Sequence, residues 1–67
     1  MEIKINGELH NYSEPINIST VLKQIGLYDS KGIATAVNNT VIPRKEWEKH
    51  ILRHLDNLMI ISATKGG

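Results

Sequence analysis

Residues 1–12 read MEIKINGELHNY. Apolar and charged side chains alternate over the first five positions, and this period of two predicts a strand with one buried face. Asn6-Gly7 is typical of a type I′ turn, because both central residues of that turn need a positive φ. Glu8 to Tyr12 is then the returning strand, and it ends before Pro15, which has no N–H to give to a ladder. The chain therefore opens with a β-hairpin.

A short helix is predicted next in the chain. Ser19 is the expected N-cap, since its hydroxyl can accept an orphan backbone N–H of the first turn. Val21, Leu22 and Ile25 share one helical face, and Gly26 suits the left-handed position after the last turn. Two turns are too short to be stable alone, so this helix must pack on a sheet.

A second hairpin is predicted after the helix. Residues 33–37 form a short strand of the buried type. Asn38-Asn39 turns the chain, since asparagine tolerates a left-handed backbone. Residues 40–42 return as another strand, which Pro43 stops.

The remaining elements complete a compact α+β domain. Residues 44–49 suit a single helical turn anchored by Trp47, and residues 58–63 are the last, apolar strand. One short helix cannot cover both faces of a mixed four- to five-stranded sheet, so it packs across one face. We expect the first and last strands side by side at the centre, which is the β-grasp (ubiquitin-like) arrangement. The prediction is a β-grasp domain over residues 1–63 and a flexible tail over residues 64–67.

The composition narrows the classes of function. A chain of 67 residues forms one small domain, which buries only ~60% of the surface of its unfolded chain. Because the chain has no cysteine, a disulfide framework, a zinc–thiolate site and a cysteine nucleophile are excluded. The net charge is +1 and aromatic residues make up only 4% of the chain, so nucleic-acid binding is not expected.

The sequence also gives no reason to expect membrane binding. The longest apolar run, residues 58–61, is far shorter than the ~20 residues that span a bilayer. No basic start followed by an apolar stretch marks a signal peptide. We therefore expect a cytoplasmic protein.

Two pairs of titratable side chains have the spacing of a functional site but lack its context. His50 and His54 are four residues apart, yet no glutamate follows the first histidine as in the zincin pattern, and no cysteine completes a tetrahedral site. Glu46 and Glu48 flank Trp47, but residues two apart do not face each other on a helix. We therefore predict neither a metal site nor a catalytic residue.

The last two residues, Gly66 and Gly67, follow the last predicted strand. A terminal pair of glycines is often only a frayed end. When a pair of glycines follows the elements of a β-grasp domain, it can have a specific function. A segment without side chains can be threaded through a narrow channel into another protein's active site. Residues 62–67, fully extended, reach up to ~20 Å from the domain. The Gly67 carboxylate is inert until ATP converts it to an acyl-adenylate, which a thiol or persulfide can attack.

Several short motifs, spread over the whole chain, occur together in one known family. They are Ile5-Asn6-Gly7, the helix end at Gly26, Ala36-Val37-Asn38, Val41-Ile42-Pro43-Arg44 with Trp47, and Gly66-Gly67. In this combination the chain resembles the ThiS family, the sulfur carriers of thiamin biosynthesis. Gly-Gly alone is shared with ubiquitin-like modifiers and with the small subunit of molybdopterin synthase. The Pro-Arg segment followed by tryptophan is what favours ThiS among them.

The resemblance implies that the chain is a carrier and not an enzyme. A ThiF-like activating enzyme adenylates the Gly67 carboxylate with ATP, and sulfur from a persulfide donor then replaces an oxygen to give a thiocarboxylate. Thiazole synthase takes that sulfur into the thiazole ring of thiamin. The resemblance implies no bound cofactor and no catalytic residue. It further implies that Gly67 carries the sulfur and that Gly66 lets the tail thread into a partner.

The sequence departs from the family pattern in the turn before the last strand. The family usually has Asp-Gly-Asp there, whereas this chain has His54-Leu55-Asp56. Leucine in place of the glycine disfavours the positive φ that such a turn uses.

The last strand also predicts a docking surface. Leu58 and Ile60 share one face of the strand, and Met59 and Ile61 share the other. Only one face can pack on the short helix. We therefore expect Leu58 and Ile60 to point inward and Met59 and Ile61 to form an apolar face that docks partners.

Two other functions fit the same sequence. A sulfur carrier for molybdopterin or a similar cofactor uses the same tail chemistry. A non-covalent β-grasp binding module or protein modifier has a tail that is never thiolated. A C-terminal thiocarboxylate separates the carriers from the passive module, and a neighbouring gene for thiazole synthase separates one carrier from the other.

Overall fold

The computed structural model describes residues 1–62, and within them five strands, an α-helix and a short 3-10 helix. No helix in this part of the chain is long and apolar enough to cross a membrane. In chain order the elements are β1 (Glu2–Ile5), β2 (Glu8–Asn11), α1 (Ile18–Gln24), β3 (Ile33–Val37), β4 (Thr40–Ile42), the 3-10 helix (Arg44–Glu46) and β5 (Asn57–Ser62).

The strands form one mixed sheet in the order β2-β1-β5-β3-β4. β1 and β5 are parallel neighbours, and the other adjacent pairs are antiparallel. The first and last strands therefore lie side by side, with β5 in the middle of the sheet. The predicted α+β class is confirmed, as is the mixed β-grasp sheet with one helix across one face.

One face of the sheet is buried under α1. Val21 and Leu22 of the helix are fully buried, and so are Ile3 of β1 and Leu58 of β5. Burying one such side chain completely stabilises the folded state by about 1.5–3 kcal/mol. The apolar cluster that joins the helix to the sheet contains, besides these four, Ile5, Ile18, Val37, Ile42, Trp47, Leu52 and Ile60.

The first hairpin has the predicted turn. Asn6 has a φ of 50° and Gly7 a φ of 86°, as the type I′ turn requires. Ile5 pairs directly with Glu8, so the loop contains only these two residues. β2 ends at Asn11, one residue earlier than the predicted strand.

The predicted N-cap of the helix, Ser19, is wrong. α1 is capped by Asn17, whose side-chain oxygen accepts the backbone N–H of Thr20 at 2.7 Å. Ser19 lies in the first turn, where its hydroxyl is buried and has no hydrogen-bond partner within the described residues. Asparagine caps a helix at least as well as serine, and a start after Asn17 brings Ile18 into the core.

The segment after the 3-10 helix satisfies the other backbone donors at the start of α1. The first N–H groups of a helix have no partner inside the helix. Here the N–H of Ile18 donates to the carbonyl of His50 at 3.2 Å, and the N–H of Ser19 donates to the carbonyl of Trp47 at 3.1 Å. Residues 47–50 therefore hold the N-terminal end of α1 in place over the sheet.

The helix ends as predicted, at Gly26. This glycine has a φ of 80°. Its N–H donates to the carbonyl of Lys23 at 3.2 Å, and the N–H of Leu27 donates to the carbonyl of Leu22 at 2.8 Å. These two bonds form a Schellman motif. Ile25, predicted on the buried face, is the C-cap residue and is 40% exposed, because the helix has already ended there.

The second hairpin has the predicted strands and turn. β3 and β4 have the predicted bounds. Asn38 and Asn39 have φ values of 51° and 72°, so both turn residues have a left-handed backbone. Because Val37 pairs directly with Thr40, this loop also contains only two residues.

The last two elements differ slightly from the prediction. The single helical turn is a 3-10 helix, and Trp47 follows it as a core residue, as predicted. β5 begins one residue earlier than predicted because Asn57 pairs with Lys4 of β1. Residue 63, the predicted end of the strand, lies outside the described residues.

Candidate functional site

The sheet face opposite α1 carries the two side chains that were predicted to dock partners. Met59 is 47% exposed and Ile61 is 52% exposed, whereas Leu58 is fully buried and Ile60 is 9% exposed. Alternate residues of a strand point to opposite faces. The predicted inward and outward directions along β5 are therefore confirmed, while the docking role of Met59 and Ile61 stays a prediction.

The strand register extends this apolar surface beyond β5. Ala36 of β3 lies opposite Met59, and Ala34 lies opposite Ile61. On the other side of Ala36 lies Val41 of β4, which is 68% exposed. Residues paired across strands share a face of the sheet, so the surface crosses three strands.

Leu9 of β2 adds an exposed apolar side chain at the far edge of the same face. Leu9 pairs with Lys4 of β1, which in turn pairs with Asn57 of β5. Like Asn57, it therefore points away from α1, and it is 58% exposed. We call this surface the outer sheet face, and its apolar members are Leu9, Ala34, Ala36, Val41, Met59 and Ile61.

The sequence interpretation missed Leu9 and Val41. A signal for Val41 was present, since it lies between two residues of a short strand whose next member, Ile42, was expected to be buried. Alternation then requires Val41 to point outward. Leu9 stands alone among polar residues, and only the pairing with β1 shows which face it occupies.

Two turn asparagines bind β5 from opposite sides. The side-chain oxygen of Asn6 accepts the backbone N–H of Ile60 at 2.7 Å. The side-chain oxygen of Asn38 accepts the backbone N–H of Asn57 at 2.9 Å. The sequence assigned these residues to turns and gave them no chemistry. In the structure they also fix β5, the strand that precedes Gly66 and Gly67 in the chain.

The turn before β5 adopts the conformation that its sequence disfavours. Leu55 has a φ of 71° and is 66% exposed. The Asp56 carboxylate holds this turn by accepting the backbone N–H of Arg53 at 2.8 Å and the side-chain amide of Asn38 at 2.9 Å. The N–H of Leu55 also donates to the carbonyl of Glu2 at 2.6 Å. The surrounding bonds therefore impose a left-handed backbone on a leucine.

The Pro-Arg segment and the tryptophan that carry the family resemblance have structural contacts. The Trp47 indole N–H donates to the carbonyl of Ile42 at 3.1 Å. The Arg44 guanidinium lies 4.5 Å from the centre of the Trp47 ring and donates to the carbonyl of Ser30 at 3.1 Å. Arg44 thus connects the loop after α1 to the 3-10 helix while it covers the tryptophan.

The histidines do not come together as a metal site. The Nδ1 atom of His54 accepts the backbone N–H of Glu2 at 2.9 Å, so this ring supports β1. Within residues 1–62, no three histidine, aspartate or glutamate side chains are grouped as a metal ion would need.

Burial raises the pKa of the Tyr12 hydroxyl above its ordinary value, but Tyr12 packs against the core and takes no part in the outer sheet face.

The predicted tail residues, Gly66 and Gly67, lie outside the described residues. Their position in the chain still limits their reach. Gly67 follows Ser62, the last residue of β5, by five positions. Five residues at ~3.5 Å per extended residue span at most about 18 Å. Any protein that acts on Gly67 must therefore come close to the end of β5.

Comparison with known proteins decides the family. The ThiS family model matches residues 3–67, which include all of β1 except Glu2, the other four strands, the helix and Gly66-Gly67. The chain belongs to the ThiS family. The predicted resemblance to ThiS is therefore confirmed.

Relatives of this ThiS chain match it over its whole length. The sulfur carrier protein ThiS of Escherichia coli is 25% identical and is itself covered completely. The uncharacterized protein ycf40 of Porphyra purpurea is 31% identical, with 93% of its length covered. A thiazole synthase of Paramagnetospirillum magneticum is 28% identical over 67 residues, which make up 20% of that protein. A ThiS-like segment thus forms part of a thiazole synthase chain.

A solved structure agrees with the fold. The crystal structure of the thiamine biosynthesis protein (ThiS) from Geobacter metallireducens matches with a TM-score of 0.84, and each chain covers all of the other. The sequence identity is 17%, so this match speaks for the fold alone. It confirms the ThiS β-grasp architecture.

Proposed function

We propose that this chain is a sulfur carrier of thiamin biosynthesis. Its Gly67 carboxylate is adenylated with ATP and converted to a thiocarboxylate, which donates sulfur for the thiazole ring. The observation that carries the proposal is that the family match runs to the last residue and so includes Gly66-Gly67. A β-grasp domain with these terminal residues has the form that a threaded carrier needs.

The chemistry requires other proteins, because the carrier itself catalyses no step. A carboxylate is a poor electrophile, so a ThiF-like enzyme first joins it to AMP and releases pyrophosphate. The outer sulfur of a persulfide then attacks the acyl carbon and AMP leaves, which gives an acyl disulfide. A second thiol attacks the donor-side sulfur of this S–S bond, so that the thiocarboxylate is released and a disulfide stays on the sulfur donor. Thiazole synthase accepts the sulfur. All of these steps belong in the cytoplasm, where ATP and persulfide donors are available.

The outer sheet face is the proposed docking surface for these enzymes. Met59 and Ile61 lie on β5, the strand that continues into the tail. An enzyme that covers this face also fixes the direction in which the tail leaves the domain. Exposed apolar side chains that cross several strands suit such contact, because covering them removes apolar surface from water.

The same proposal assigns different roles to the domain and to the tail. Residues 1–63 form the folded docking domain, and residues 64–67 form the tail that enters the active site. Gly66 has no side chain to obstruct the channel. The similarity to part of a thiazole synthase supports that enzyme as a partner, because a carrier segment within the enzyme's own chain raises its effective concentration at the acceptor.

Mass spectrometry of the protein purified from its own host tests this proposal. We expect a fraction of the chains to carry the mass increase of an oxygen-to-sulfur exchange, located at Gly67 by fragmentation. The control is a chain extended by one residue after Gly67, which should never gain this mass. A tail that is never thiolated would identify a passive binding module. A thiocarboxylate that purified thiazole synthase does not consume would place the carrier in another sulfur pathway.

A further inference from the structure

We propose that the second half of β5 pairs, by backbone hydrogen bonds, with an extended strand of the enzyme that adenylates Gly67. This inference rests on the proposed function and names how that enzyme recognises the carrier. It concerns the backbone edge of residues Ile60–Ser62, which is distinct from the side chains of the outer sheet face.

The pairing of β5 is unequal on its two sides. On one side, β3 pairs with it along Leu58–Ser62, from Val37 opposite Leu58 to Ile33 opposite Ser62. On the other side, β1 pairs only with Asn57 and Leu58. β1 stops there because the chain turns away at Asn6 and Gly7. Within residues 1–62, the second half of β5 therefore has a strand neighbour on one side only.

The hydrogen bonds show which backbone groups point toward the open side. The N–H of Asn6 donates to the carbonyl of Leu58 at 2.9 Å, and the N–H of Ile60 donates to the side chain of Asn6 at 2.7 Å. The backbone groups of alternate residues point to the same side of a strand. The carbonyl of Ile60 and both backbone groups of Ser62 therefore also point to the open side, beyond the reach of β1.

An exposed row of backbone donors and acceptors is a template for another strand. The adenylating enzyme is the occupant that the chain geometry favours. Its active site must take up Gly67, whose carboxylate lies within about 18 Å of Ser62 along the extended chain. Part of that enzyme must therefore lie near this end of β5. Met59 and Ile61 flank the edge with exposed apolar side chains, so the added strand would be continuous with the docking surface.

A pair of substitutions at Ser62 tests the inference. Ser62→Pro removes the N–H that points to the open side, and Ser62→Ala keeps it. The N–H of Ser62 does not take part in the pairing with β3, so both variants should melt near the wild-type temperature. With the purified adenylating enzyme and ATP, Ser62→Pro should raise the KM for the carrier in ATP–pyrophosphate exchange roughly tenfold. Ser62→Ala should leave the KM unchanged.

Amide hydrogen exchange of the wild-type chain gives an independent measurement, which also decides the question if Ser62→Pro misfolds. Adding the enzyme should slow exchange at Ser62 by tenfold or more. The amide of Ile61 is the internal control, since it already faces β3 and should change little. If the wild-type chain is adenylated but the Ser62 amide and the KM of Ser62→Pro are unaffected, the strand pairing is wrong and the carrier function stands.

Two further outcomes would also overturn parts of the argument. If the wild-type chain is never adenylated, the proposed function itself fails. If the Ser62 amide becomes protected in the isolated carrier as its concentration rises, the strand on this edge belongs to a second copy of the chain. The first result is seen as absent adenylation of the wild-type chain, and the second as amide protection without any enzyme. Neither can be confused with a raised KM that is confined to Ser62→Pro.

Discussion

The side-chain oxygen of Asn6 lies 2.7 Å from the backbone nitrogen of Ile60, although 54 positions separate them in the chain. β1 ends at Ile5, directly before Asn6. The Asn6 side chain therefore accepts the N–H of β5 that a longer β1 would have bonded through its backbone. The same residue has a φ of 50° at the hairpin turn. Asn6 therefore has a local role in the turn and a long-range role in the sheet.

The first prediction separates these two roles. Asn6→Gly keeps the left-handed turn but removes the bond to Ile60, so the free energy of unfolding should fall by about 1–2 kcal/mol. Asn6→Ala removes the same bond but keeps a Cβ in the left-handed region without the local hydrogen bonding of asparagine, so it should be about 1 kcal/mol less stable than Asn6→Gly. Urea unfolding of the three proteins measures both steps. Equal stability of Asn6→Gly and the wild type would show that the long-range bond contributes nothing.

This double role marks the limit of what the sequence could predict. The turn was predictable because Asn6-Gly7 favours positive φ over two adjacent residues. The bond to Ile60 was not, because it depends on where β1 stops relative to β5. The bounds of β3 and β4 were predictable for the same local reason as the first turn, with Pro43 fixing the end.

The start of the helix shows why one local signal was not enough. Both Asn17 and Ser19 are good N-cap residues. The choice between them depends on distant groups: the amide of Asn17 also donates to the carbonyl of Glu48 at 3.1 Å, and Ile18 has to reach the core. For the candidate site, alternation along β5 gave the outward direction of Met59 and Ile61, and the same alternation could have given that of Val41, whereas only the strand pairing showed that Leu9 shares their face.

The second prediction concerns the turn at Leu55. Its backbone is left-handed and its side chain is 66% exposed, so the leucine has strain and little compensating burial. Leu55→Gly should relieve about 1–2 kcal/mol of strain and lose about 0.5–1 kcal/mol to backbone entropy, for a net gain in stability. Leu55→Ala removes the side chain but keeps the strain, so it is the matched control and should be near neutral. Thermal unfolding that shows no gain for Leu55→Gly would contradict the strain argument.

The third prediction tests the outer sheet face. Met59→Glu or Ile61→Glu places a charge on an exposed position, so each variant should stay folded while its affinity for the activating enzyme falls roughly tenfold or more. Ile51→Glu is the matched control, because Ile51 is 51% exposed, close to the 52% of Ile61, and lies in the segment that bridges to Asn17. Calorimetric binding with all three variants checks this. A control that weakens binding as much as Ile61→Glu would remove the case for a specific face.

The fourth prediction concerns the reacting group. Deleting Gly67, or adding one residue after it, moves the carboxylate by about 3.5 Å along the tail. Both changes should abolish ATP–pyrophosphate exchange with the activating enzyme, while the melting temperature stays the same. Normal exchange by the extended chain would refute the assignment of Gly67 as the sulfur-carrying residue.

The last prediction separates threading from folding at Gly66. Gly66 belongs to the short tail that is proposed to enter the enzyme, and no residue from 64 to 67 has an apolar side chain to bury. Gly66→Val should therefore leave the melting temperature almost unchanged. In the enzyme, the added side chain would obstruct a narrow channel and restrict the backbone freedom that glycine provides. A displacement of about 1 Å at a reacting group can slow a reaction ~100-fold, so adenylation should fall by about this factor.

Lys65→Val is the matched control, since it puts the same side chain one position earlier, where the chain already has a larger one. A Gly66→Val chain that is activated at the rate of this control would mean that the enzyme holds the tail loosely, and the two glycines would then be no sign of threading.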